Sequence, residues 1–161
     1  MKYLFIIILS ITIICTNGLA DFKGGRDDLS FLNVKNSDYK KGKDSFKRAL
    51  KYKKKNKIKK ANKRFEKALK YFVSANKEYP KNVEILSYLG LTYSMVGDLI
   101  MSEIYYQEGL AIDPKNVLLN QRLGELYHQS KRNELALERL KVLYSCDCQE
   151  YLNLKKLIEK N

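Results

Sequence analysis

Residues 83–116 read VEILSYLGLTYSMVGDLIMSEIYYQEGLAIDPKN, and this stretch decides the fold. Its apolar residues return every three or four positions, the period of a helix with one buried face. Leu86, Leu89 and Tyr93 recur in the first half, and Ser102, Tyr106 and Gly109 in the second. Between the halves stands Gly97, which tolerates the positive φ of a sharp turn. Pro114 ends the second half, because proline cannot continue a helix. Gly90 and Ser102 are small, so two helix backbones can approach closely there. The stretch predicts two antiparallel helices joined at Gly97.

The pattern returns 34 residues on, from Val117. Leu123-Gly124-x2-Tyr127 repeats the first helix and Ala136-x3-Leu140 the second, while Cys148 stands where the proline would be. Upstream, Tyr52, Asn56, Ala61, Phe65 and Ala68 keep the spacing of Tyr93, Gly97, Ser102, Tyr106 and Gly109. This earlier unit begins near Gly42 and runs seven residues longer, about two helical turns. The extra turns fit the second helix, where Ile58, Ala61, Phe65, Ala68, Phe72, Ala75 and Tyr79 form one apolar stripe ending at Pro80. Beyond the third unit, Tyr151, Leu154, Leu157 and Ile158 share a face of a closing helix.

These positions resemble the tetratricopeptide repeat, whose 34-residue pattern is W-x2-L-G-x2-Y, then A-x3-F, then P. Leu86 takes the Trp position, Ser102 the Ala and Tyr106 the Phe. The resemblance implies an all-α, TPR-like helical hairpin solenoid of about three repeats plus a C-terminal capping helix. The domain would span 37–161, with repeats at about 42–82, 83–116 and 117–148 and the cap at 149–160. Tyr93 and Tyr106 would fill the space between units.

The family's first helices line a concave groove for an extended peptide or a partner helix. Carried over, the groove residues are Phe46, Leu50, Lys53 and Lys54, then Ser87, Leu91, Ser94 and Met95, then Gln121, Glu125, His128 and Gln129. That lining passes from basic to apolar to polar, which suits a partner with an acidic stretch beside an apolar one. The Lys, Asn and Arg cluster with which the family's chaperone-tail binders hold a terminal carboxylate is not found among these positions.

The N-terminus reads differently. Lys2, the apolar run from Tyr3 to Ile14 and the small-x-small Gly18-Leu19-Ala20 describe a secretory signal peptide over residues 1–20. The run is shorter than the roughly 20 apolar residues of a membrane span, so a retained anchor is the lesser expectation. Ile14 before Cys15 argues against lipidation. Residues 21–36 show no period, and Gly24-Gly25 with Asp27-Asp28 predicts a flexible lead-in. Export and a Lys/Asn/Ile-rich composition together point to a bacterial periplasm or cell envelope.

Charge is uneven. Residues 21–82 hold 21 Lys+Arg against 7 Asp+Glu, and residues 83–161 hold 9 against 11. The densest run is KYKKKNKIKK at 51–60. Lys53, Lys54, Lys55, Lys57, Lys59 and Lys60 are expected to face water around a turn at Asn56. The alternative is a handle for an anionic membrane or cell-wall surface, weakened by salt. An exported location argues against nucleic acid.

Chemistry is poorly represented. Cys146-Asp147-Cys148 departs from the Cys-x-x-Cys of thiol oxidoreductases and lacks the further ligands of a metal site. Whether that pair is oxidised stays open at the level of sequence. His128 is the only histidine, with no nucleophile or acid in a catalytic arrangement beside it. No phosphate loop and no paired-carboxylate signature is present, so neither an enzyme nor a cofactor is expected.

Overall fold

The turns set the architecture. The computed structural model describes residues 37–160; the expected signal peptide at 1–20 and the expected flexible lead-in at 21–36 lie outside them. Among the described residues there are seven helices and no strand. They are α1 (Ser37–Lys54), α2 (Ile58–Glu78), α3 (Val83–Val96), α4 (Leu99–Ile112), α5 (Val117–Gln129), α6 (Asn133–Leu143) and α7 (Gln149–Ile158). Within each pair the chain reverses through a left-handed residue: Asn56 at φ 53°, Gly97 at 92° and Lys131 at 60°. Gly97 and Lys131 are 34 positions apart, so one backbone geometry recurs on different side chains. Each helix packs on the next in sequence, and α7 packs on both α5 and α6.

Helix starts are fixed by side chains that accept otherwise unpaired N–H groups. Asn82 accepts from the Ile85 amide, Asp98 from Met101 and Asn116 from Leu119, each at 3.0 Å. The fully buried Asn120 then locks the loop before α5, donating to the carbonyls of Pro114 and Asn116 at 3.0 and 2.9 Å.

Glycines set the helix separations. A Cβ at Gly90 would lie 2.5 Å from two ring carbons of Tyr106. One at Gly109 would meet Leu119, and one at Gly124 would meet Leu154 of the closing helix. The first hairpin is longer on both arms. α2 has 21 residues against 14 in α4, and α1 begins at Ser37, five residues before the Gly42 repeat start. The added turns face each other where Gly42 meets the Phe72 ring, and the Ser74 hydroxyl donates to Asp38 at 2.8 Å. The apolar stripe of α2 is buried from Ala61 to Ala75, but its ends Ile58 and Tyr79 are exposed. Ile58 is the first residue of α2 and Tyr79 is its C-cap.

Two buried clusters form the core. The first joins α1, α2 and α3 through Tyr39, Phe46, Phe65, Phe72 and Leu89, and the second joins α4, α5 and α6 through Tyr106, Leu119, Leu123, Tyr127 and Ala136. Tyr106 therefore bridges units as expected of it. Tyr93 stacks on Tyr105 of its own hairpin, with ring centroids 5.4 Å apart and planes 11° from parallel, and both pack against the first cluster. Leu154, fully buried, closes the open end against Gly124.

Candidate partner-binding trough

Two adjoining cavities lie between α3 and α5. Leu91, Ser94 and Met95 of α3 face Gln121, Glu125 and Gln129 of α5 across a cavity of about 410 Å³. Its walls and floor also include Leu118, Arg122, Leu126 and Tyr106. A second cavity of about 500 Å³ adjoins it towards the helix starts, and Leu118 and Arg122 line both. Val83, Ser87 and Tyr88 complete that end. The two form one trough along α3 and α5, with Leu118 exposed on its wall.

Arg122 is the charged centre of the trough. Its Nη1 donates to the Ser87 hydroxyl at 2.6 Å, and among the described residues it makes no ion pair. Glu125 is occupied by a hydrogen bond from Gln121 at 2.7 Å. Beneath lies the Tyr106 phenol, which burial pushes up to about 12. A half-buried guanidinium held by a neutral hydroxyl keeps donors for an incoming carboxylate, above a floor that favours apolar side chains.

Six of the groove residues expected from sequence, Leu91, Ser94, Met95, Gln121, Glu125 and Gln129, meet in the first cavity, and Ser87 reaches the second. Ser87 itself is buried and already accepts from Arg122. Phe46 is not available to a partner. It is 6% exposed and packs edge-on against Phe65 and Tyr88, with centroids 5.3 and 5.8 Å away. Tyr88 draws it in, because the same ring stacks on Phe72 at 5.0 Å and completes an aromatic box between α1, α2 and α3. Leu50 packs half-buried against that box, and His128 is half-buried on α5 and lines neither cavity. Lys53 reaches the rim, its Nζ 3.5 Å from the Met95 sulfur.

Arg122, Leu118 and Leu126 were missed from sequence. Their i, i+4, i+8 spacing was the available signal: they share one face of α5, centred roughly 120° around the helix axis from His128. Only the seating of α5 on α4 and α6 selects between those two sides.

The turn lysines Lys53, Lys54, Lys55, Lys57, Lys59 and Lys60 are all exposed. Lys60 also joins Lys63, Arg64, Lys67 and Lys70 of α2, with Tyr52 of α1, around a cavity of about 660 Å³. Cys146 and Cys148 are joined by a disulfide in the loop before α7, both half-buried. Among the described residues no group of His, Cys, Asp and Glu could hold a metal ion, and no helix is long and apolar enough to cross a membrane.

The first tetratricopeptide domain of Spaghetti (RPAP3), solved with the HSP90 peptide SRMEEVD, superposes on these helices with a TM-score of 0.55. This chain has the tetratricopeptide fold. The likeness covers 75% of this chain and 93% of that domain at 17% identity, so the fold is shared while the side chains are not. No protein-family model matches the chain, and no curated protein does. In the tetratricopeptide frame, α1, α3 and α5 are the inner helices and α7 stands where a fourth inner helix would begin.

Proposed function

We propose that the chain is a non-enzymatic interaction scaffold of the bacterial cell envelope, exported by its N-terminal segment, which holds a protein or peptide partner in the trough between α3 and α5. The carrying observation is the trough itself: Leu91, Met95 and Leu118 offer apolar contact beside Arg122, which makes no ion pair among the described residues. A segment with an acidic residue over Arg122 and apolar residues beside it satisfies both. Lys53 at the rim extends the preference for acid. That the RPAP3 domain holds a peptide supports the reading. Capture from envelope extract at low and high salt tests it. A partner that survives high salt and is lost on Leu91→Glu supports trough binding; a partner indifferent to Leu91→Glu removes it.

A second reading rests on the exposed lysines at 53–60, which would hold the chain against an anionic bilayer or wall surface, leaving the repeats as support. Adsorption that falls steeply with salt and disappears when those lysines are neutralised would distinguish it.

A further inference from the structure

The basic character of the first hairpin is not spread evenly. Residues 37–82 carry 18 Lys+Arg against 4 Asp+Glu. On α2, Lys60, Lys63, Arg64, Lys67 and Lys70 recur at three- and four-residue spacing, which places them on one face. Their long side chains wall the 660 Å³ cavity together with Tyr52, and Glu66 is the single acid among its lining residues. None of the five cations takes part in an ion pair among the described residues. Holding five like charges together costs free energy unless counterions or a bound anion neutralise them.

We propose that this face of α2 is a binding site for a linear phosphodiester polymer, read through its phosphates alone. The geometry favours a thread. From Lys60 to Lys70 the row is about 15 Å long at 1.5 Å per residue, with a cation roughly every 5 Å. A flexible chain can lie in the cavity and place an oxyanion near each cation. A flat bilayer would meet only the tips of the lysines. Lysine predominates over arginine, four to one, which suits attraction by point charge rather than recognition of one planar group. The site shares no residue with the trough and only Lys60 with the turn lysines, so it stands whether or not the trough has a partner.

The test uses the full chain and two soluble probes, poly(glycerol phosphate) and a mixed-sequence single-stranded DNA, beside phosphatidylglycerol vesicles. With about five phosphate contacts, affinity for the soluble chains falls about 100-fold between 50 and 200 mM salt. The triple variant Lys63→Gln, Arg64→Gln, Lys67→Gln leaves about two contacts, and the fall shrinks to about 7-fold. Lys40→Gln, Lys47→Gln, Lys51→Gln on α1 removes the same net charge elsewhere and keeps the steep dependence. Far-ultraviolet circular dichroism verifies that both variants remain helical. Equal affinity for the two chains supports readout by phosphate. Three results each overturn the site: no binding to either chain at 50 mM salt, equal losses in the two triple variants, or binding to vesicles alone.

Discussion

Gly90→Ala is the sharpest probe of how the hairpins stack. A Cβ there would lie 2.5 Å from both Cδ1 and Cε1 of Tyr106 and 3.1 Å from the Ser102 carbonyl oxygen. The ring is 2% exposed and belongs to the second core cluster, so it cannot swing away without disturbing Leu119 and Leu123. Overpacking of this kind costs about 1–3 kcal/mol, and the rigid ring edge with a backbone oxygen behind it argues for the upper end. Replacing glycine inside a helix returns about 1 kcal/mol. The net expectation is a loss of about 2 kcal/mol, or roughly 5–10 °C in Tm for a domain of this size. Gly109→Ala is the control, because its Cβ would approach only Leu119 Cδ1 closely, at 2.6 Å, and a methyl at the end of a flexible side chain can give way. That variant should stay within about 1 kcal/mol of the parent. Urea titration followed by circular dichroism reads both. Gly90→Ala proving as stable as Gly109→Ala would refute the idea that the Tyr106 ring sits on the Gly90 backbone. Gly90→Leu, with three further carbons and no space for them, should unfold the array.

Three further outcomes are expected. Leu154→Ala, at a fully buried position against Gly124, should cost about 2–5 kcal/mol in the same titration, because α7 covers the last apolar face. Arg132 donates to both oxygens of Glu103, at 3.1 and 2.7 Å, and lies over the Tyr127 ring, tying α4 to the start of α6. The pair is partly exposed, so a double-mutant cycle should give no more than about 1 kcal/mol, less at high salt. Stability should also fall in alkali. Burial raises the Tyr106 pKa to about 12 while the unfolded phenol ionises near 10, so its contribution is complete below about pH 10 and is lost as pH climbs towards 12. Tyr106 should contribute about 2–3 kcal/mol to the loss seen on denaturation from pH 9 to 12, and Tyr106→Phe should reduce that slope but not abolish it, because burial also raises the Tyr39 phenol.

Much of the scaffold was legible because helical hairpins are specified locally. The Leu89-Gly90-x2-Tyr93 and Leu123-Gly124-x2-Tyr127 runs place small and large residues one helical turn apart, and Gly97 marks the reversal. Seven surplus residues before Val83 announce a longer first unit. The aromatic box was not legible. Tyr88 carries no distinguishing signal in the sequence until α3 lies against α1 and α2, and only then does Phe46 become core.

The trough shows the same division. The tetratricopeptide resemblance implies that Leu91, Met95, Gln121 and Glu125 line the inner helices, because repeat spacing is a property of one helix at a time. Which face of α5 turns inward depends on the rotation of that helix about its axis, set by how Leu119, Leu123 and Leu126 seat against Tyr106 and Ala136. Arg122 and His128 lie roughly 120° apart around α5, so the seating that brings Arg122 to the trough turns His128 aside. Sequence thus determined that the chain would fold as stacked helical pairs with a heavily basic first pair. Tertiary packing alone decided which cations share one cavity and which residues a partner can touch, since both are relations between helices rather than within them.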